Sequence, residues 1–215
     1  MTKAVVFDLD GTLLYTIPDI AAALNTALEA NGFPAREVDN YRHYVGSGIR
    51  NAIRRATRLD LEEDKLEAIH RVYQSIYPNH CTEATTLFPG IHEALRTLRD
   101  RGVTLGVLSN KTEATGQRIV SHYFPDIPFA FIWGNNGVRP LKPDPAGAEE
   151  FLALLGLDRS EVVYVGDSDV DIRFAAAAGI PSVGAVWGFR GREELVSAGA
   201  KLLADTPSDL PNVIQ

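Results

Sequence analysis

The sequence predicts an α/β fold: a parallel sheet covered by helices on both faces, with an all-helical block inserted near the amino terminus. Three observations carry this reading. Ala4 to Leu14, AVVFDLDGTLL, is an apolar run ending in two carboxylates and a glycine, the pattern of a buried strand that stops at a charged turn. Beyond Pro89, short apolar strands alternate with helices, which demands parallel pairing through right-handed crossovers. Between Thr16 and Thr82 no segment has strand character, so helices alone interrupt the alternation. The simplest organisation is an α/β core of residues 1–14 and 88–215, with a four-helix-like cap of residues 15–87 inserted into it. Leu14-Tyr15-Thr16 and Ala84 to Phe88 are the expected hinges.

Within the cap, Thr16-Ile17-Pro18-Asp19 reads as a helix start, with Thr16 as cap and Asp19 at the positive end. Ile20, Leu24, Ala27 and Leu28 recur at helical spacing, and Asn31-Gly32 ends the run. Pro34 to His43 is polar and ambiguous. Tyr44-Val45-Gly46-Ser47-Gly48 is a turn before a helix over Ile49 to Thr57. Glu62 to Tyr77 is the longest cap helix, with Leu66, Ile69, Val72, Tyr73 and Ile76 on its apolar face and Pro78 closing it. In the core, strands are expected at Val103 to Leu108, Phe129 to Trp133, Val162 to Val165, Ser182 to Val186 and Leu202 to Ala204. Helices between them span His92 to Arg101, Thr112 to His122, Asp144 to Leu155, Asp169 to Ala178 and Glu193 to Ala198.

Composition narrows the function classes. A net charge of -7 argues against a general nucleic-acid or anionic-membrane binder, while leaving room for a local phosphate pocket. Cys81 is the only cysteine, so neither an intrachain disulfide nor a cysteine-cluster metal site forms, which favours a reducing compartment. No stretch is long and apolar enough to span a bilayer, and Met1-Thr2-Lys3 leaves no room for a signal peptide before the first strand. A cytoplasmic location is the expectation.

The chemistry gathers at strand ends. Asp8 and Asp10 follow the first strand, and such a pair binds a cation or divides nucleophilic and acid–base work. Val107-Leu108 delivers Ser109 and Asn110, and Val162 to Val165 delivers Gly166, Asp167, Asp169 and Asp171. Lys142 stands among prolines before a helix. In a parallel sheet all these ends face one way. Carboxylates, hydroxyl and amide donors, and a lysine suit phosphoryl transfer with magnesium, and the absence of spaced histidines and cysteines argues against zinc. Simpler readings stand beside these. Ser168 to Asp171 is also a capping box, Ser109 or Asn110 could cap the next helix, and Gly46 and Gly48 could form an ordinary turn or expose amides to an anion.

These segments together resemble the haloacid dehalogenase-like (HAD) superfamily. Its DxDGT motif is similar to Asp8-Leu9-Asp10-Gly11-Thr12, its strand-terminal Ser or Thr to Ser109, its lysine to Lys142 with Pro143 and Pro145, and its GDxxxD motif to Gly166-Asp167 through Asp171. The resemblance implies a Rossmann-like core whose first strand lies between those ending at Ser109 and Val165, with a small helical cap. Pro18-Asp19-Ile20, Val45-Gly46-Ser47-Gly48 and Ser109-Asn110-Lys111 look like its phosphoglycolate phosphatase-like branch, whereas Tyr15 stands where many relatives carry Asp or Asn.

By resemblance, Asp8 is the nucleophile and Asp10 the general acid and base. The implied magnesium ligands are Asp8, Asp167 and the Asp10 main-chain carbonyl, with Asp171 behind them. Ser109 and neighbouring amides would bind phosphoryl oxygens, Lys142 would offset their charge, and Thr12 would orient the loop. Asn110, Gly46, Gly48 and Tyr15 are the candidate substrate contacts, with His43, Arg50 and Lys111 near the non-phosphate end. Trp187 and Phe189 are candidates for the pocket mouth. The implied partner is a small phosphorylated metabolite, 2-phosphoglycolate first, for a monomer or homodimer. Sugar phosphomutase, pyrophosphatase and nucleotide phosphatase chemistry use the same machinery. A phosphate-responsive binding module is the alternative of a different class.

Overall fold

Strand β1 (Ala4–Phe7) is buried along its whole length because it lies inside a sheet with both faces covered. Its side chains alternate between two apolar clusters, Val5 and Phe7 in one, Ala4 and Val6 in the other. The computed structural model describes residues 1–214. After β1 come β2 (Leu14–Tyr15) and four helices, α1 (Ile17–Glu29), α2 (Tyr41–Tyr44), α3 (Ile49–Thr57) and α4 (Glu63–His80). Strand β3 (Thr86–Leu87) returns the chain by pairing antiparallel with β2. The core continues through α5 (Ile91–Asp100), β4 (Thr104–Thr112), α6 (Glu113–Tyr123), β5 (Phe129–Asn135), α7 (Ala146–Leu155), β6 (Val162–Gly166) and α8 (Asp169–Ala178). It ends with β7 (Ser182–Ala185), α9 (Gly191–Ser197), β8 (Leu202–Ala204) and α10 (Leu210–Val213).

Among the described residues, six strands form one parallel sheet in the order β5-β4-β1-β6-β7-β8. Phe7 is level with Val107 on β4 and Val165 on β6, so the polar residues beyond these three positions emerge side by side. This is where open α/β sheets form their ligand crevice. The cap helices extend the larger apolar cluster, which runs from Phe7 through Leu24 and Ile53 to Ile69.

Four local features differ from the sequence expectations. Strand β4 does not stop at Leu108 but runs to Thr112. From Leu108 to Thr112 it advances four residues while β5 advances two, from Trp133 to Asn135, and this bulge lifts Ser109 to Lys111 out of regular pairing. Gly134 makes room for it, since a Cβ there would lie 2.8 Å from Glu113 Cα. Thr16 does not cap α1; its hydroxyl donates to Asp10 Oδ1 at 2.7 Å instead. Helix α4 passes through Pro78 to His80, because a proline in a last turn forfeits one backbone bond rather than breaking a continuing helix. Finally, the connectors at both ends of the helical block form the small β2–β3 pair. There Asp19, at the start of α1, accepts the Ala84 and Thr85 amides at 2.8 and 2.9 Å. These connectors are thereby tied to the first turn of α1.

Candidate active site

Asp8 is the first residue beyond β1, and its amide donates to Val165 O of β6 at 2.9 Å. Its carboxylate is buried, with Lys142 Nζ 3.0 Å from Oδ1. That contact is an ion pair without hydrogen-bond alignment, so Oδ1 is left with no hydrogen-bond donor among the described residues. Lys142 directs its hydrogens to Asp171 Oδ1 at 2.7 Å and Tyr164 Oη at 2.6 Å. Tyr164 in turn donates to Leu108 O at 2.8 Å. Burial alone would lower the lysine's pKa, but Asp171 and Asp8 outweigh it and raise it. The ammonium is therefore a fixed charge held between two carboxylates.

Asp167 accepts the Phe189 amide at 2.8 Å and the Thr12 hydroxyl at 3.2 Å. Gly11 and Gly188 crowd it so closely that a Cβ on either would collide with the carboxylate. Asp171 accepts the Ser168 amide at 3.1 Å and hydroxyl at 2.6 Å, so the capping box forms and the same carboxylate also meets Lys142.

Oxygens of Asp8, Asp167 and Asp171 all lie within 4.8 Å of one another. Three buried carboxylates around the single Lys142 ammonium, with no hydrogen bond to Asp8 Oδ1 among the described residues, leave negative charge uncompensated. This fits a hard divalent cation such as magnesium, which takes oxygen ligands. The carboxyl of Asp8 is pushed up to about 6 by burial, with Asp171 and Asp10 adding to the shift and Lys142 opposing it. That of Asp167 is raised well above the ordinary range, by burial first and then by Asp171 and Asp8.

These shifts set a pH dependence. A carboxyl raised in the folded state carries no penalty below its unfolded pKa near 3.8, and an increasing one as pH climbs through the folded value near 6. The metal-free protein should therefore lose stability from Asp8 between those limits and regain it when a cation binds. The expected result is a larger magnesium-induced rise in Tm at pH 7.5 than at pH 5 in thermal melts. Equal rises would refute the assignment.

Asp10 stands apart from the cluster. Its carboxylate is held by Lys111 Nζ at 2.8 and 2.9 Å and by Thr16. The Lys111 ammonium also lies 4.7 Å from the ring centre of Tyr77, on cap helix α4. Asp8, Asp10, Ser109, Asn110, Gly46 and Gly48 all line one cavity of about 560 Å³ between core and cap. Asn110 is engaged in joining its two sides: Nδ2 donates to Gly46 O at 3.0 Å and Lys142 O at 2.9 Å, and Oδ1 accepts the Lys142 amide at 2.8 Å. Arg190 makes a second tie, donating to Val45 O at 2.9 Å.

Other sequence candidates sit elsewhere. Tyr15 is not among the residues lining this cavity; its ring packs edge-on against Phe88 and Phe189, and its hydroxyl accepts from Arg42 at 3.3 Å. The Thr12 hydroxyl faces Asp167, and Trp187 Nε1 donates to Thr12 O at 3.0 Å, so both brace the motif loop. Arg50 is committed to Glu67 at 2.7 Å and to Glu63. Sequence reasoning did not find Tyr73, Tyr77 and Arg118 as cavity residues. The two tyrosines are four apart on a helix with an apolar face, a pattern indistinguishable from core packing.

Comparison with known proteins agrees with this geometry. A family model described as haloacid dehalogenase-like hydrolase matches residues 5–185. A phosphoglycolate phosphatase of Vibrio parahaemolyticus is 31% identical over 99% of this chain and 96% of its own length. The Pseudomonas putida phosphoglycolate phosphatase is 30% identical over 95% of this chain and 77% of its own. Among solved structures, CbbY of Rhodobacter sphaeroides, in complex with phosphate, superposes with a TM-score of 0.80 at 26% identity, covering 98% of this chain and 96% of that one.

Proposed function

The chain belongs to the haloacid dehalogenase-like hydrolases and has the active site of a phosphatase, and from that premise we propose that it hydrolyses 2-phosphoglycolate through a phospho-aspartyl intermediate on Asp8. The observation that carries the reading is the buried Asp8 carboxylate, which lines the cavity beside Asp10 and pairs with Lys142. The named ester rests on the Vibrio and Pseudomonas relatives, which bear that activity in their names.

In the proposed reaction an Asp8 oxygen attacks phosphorus, the bond from phosphorus to the ester oxygen breaks, and Asp10 gives that oxygen a proton. Water then attacks the phosphoryl group on Asp8 while Asp10 takes a proton back, releasing phosphate and restoring the carboxylate. Lys142 offsets the charge that Asp8 and the phosphoryl group share. Ser109, with the amides of the β4 bulge, is assigned the phosphoryl oxygens. Asp8, Asp167 and the Asp10 carbonyl would hold magnesium, with Asp171 and Thr12 positioning them. Bound there, the ion supplies Lewis-acid stabilisation of phosphoryl charge. The cap is assigned to residues 15–87, with the β2–β3 pair as its hinge. Closure of that cap excludes bulk water.

The test is phosphate release from phosphoglycolate, sugar phosphates, nucleotides and pyrophosphate. Chelation should abolish turnover and added magnesium restore it. Asp167→Asn should raise the magnesium concentration needed for half-maximal rate by about 10–100-fold. Turnover on none of the esters by folded protein, or turnover indifferent to magnesium, would sink the proposal.

A further inference from the structure

The cavity is larger and more apolar than the ester named above requires. Cavities of roughly 300–1,000 Å³ hold drug-sized ligands, and this one measures about 560 Å³. Glycolate is among the smallest acids a phosphate can esterify. Because Asn110 is bonded to Gly46 and Arg190 to Val45, this is already the volume with the cap loop docked on the core. Away from Asp8 and Asp10 the lining includes Ile20, Ile49, Ala52, Tyr73 and Tyr77. Such walls reward a chain or ring and penalise a carboxylate pressed against them.

One polar side chain without a partner lines this wall, whereas the Tyr77 hydroxyl, which also has none among the described residues, is buried away from the cavity surface. Arg118, on α6, lines the cavity and makes no hydrogen bond or ion pair with any described residue. Lys111 is not available in the same way, because both oxygens of Asp10 hold its ammonium.

We infer that the preferred ester carries a longer leaving group than glycolate, with an apolar chain or ring along Ile49, Tyr73 and Tyr77 and a carboxylate at Arg118. This rests on the phosphomonoesterase reading and deepens it: phosphoglycolate is accepted, and a longer acid phosphate fills the site.

Asp8→Asn keeps esters intact, so calorimetry on that variant can measure binding of carboxyalkyl phosphates, from phosphoglycolate to carboxyhexyl phosphate, and of matching alkyl phosphates ending in methyl. Affinity should rise with chain length, by up to about fourfold per buried methylene. Carboxylate-ended chains should bind more tightly than methyl-ended ones at the long end, and adding Arg118→Gln should erase that difference. Adding Ala52→Leu should move the optimum to shorter chains. Phosphoglycolate binding most tightly of the series, or a carboxylate preference untouched by Arg118→Gln, would overturn the inference. Phosphate release from the same esters by the wild-type protein is the separate readout of the reaction. Length-dependent binding without release would overturn the hydrolysis and support the binding assignment.

Discussion

Asp8→Asn is expected to lower phosphate release by roughly 10⁴-fold or more, because removing the proposed nucleophile leaves only binding and electrostatic stabilisation behind. The distinguishing part of this prediction is its stability arm. In the metal-free protein the Asp8 carboxyl is pushed up to about 6, which means that burial and the neighbouring aspartates outweigh Lys142. At neutral pH the ionised form is therefore a burden on the fold. Asparagine retains the shape and removes the charge, so the variant should melt at or above the wild-type temperature without metal. It should also lose most of the magnesium-induced rise in Tm. An inactive variant that melts well below wild type would mean that Asp8 supports the fold rather than the reaction. Full activity in a folded variant would remove Asp8 from the mechanism.

Lys142→Met is expected to have the largest effect on stability. The side chain is buried and lies within 3.0 Å of Asp8 and 2.7 Å of Asp171. Methionine matches its length but leaves both carboxylates without their counter-ion, and breaking a buried pair from one side costs about 3–5 kcal/mol. For a chain of this size that corresponds to a Tm lower by roughly 10 °C. Activity should fall with it, since the charge shared by Asp8 and the phosphoryl group is no longer offset. The double variant Lys142→Met with Asp8→Asn should recover part of the loss, because one stranded carboxylate has been neutralised. A Tm within about 2 °C of wild type for the single variant would show that the pair contributes little. No recovery in the double variant would place the damage elsewhere, in the Tyr164 contact for example.

The strands and the acidic turns were legible in the chain because both depend on local pattern, whereas the place of the first strand between those ending at Ser109 and Val165 came from the family resemblance. A continuous apolar run such as Ala4–Phe7 suits only a strand covered on both faces, and helices between such runs force parallel pairing. The four motif segments had to meet, since the carboxyl ends of parallel strands share one edge. What local pattern could not assign is how a polar side chain is used once it arrives. Thr16 has the composition of a helix cap, yet Asp10 lies within 2.7 Å of its hydroxyl and takes the bond. Asn110 comes just after an apolar run, like a phosphate donor, yet Gly46 and Lys142, distant in sequence, accept both its hydrogens.

Tyr73 and Tyr77 illustrate the same limit from the apolar side. Their spacing on α4 is that of any buried helix face, and only the tertiary fold sets one side of it opposite Ser109 to Thr112 as the wall of a cavity. The sequence by itself determined the strands, the inserted helices and the carboxylates at the strand ends, because period, burial and charge act over a few residues. The tertiary structure alone decided the β4 bulge, the hold of Lys111 on Asp10 and the walls of the cavity. Those depend on which surfaces from opposite parts of the chain face each other, and no short-range pattern encodes that.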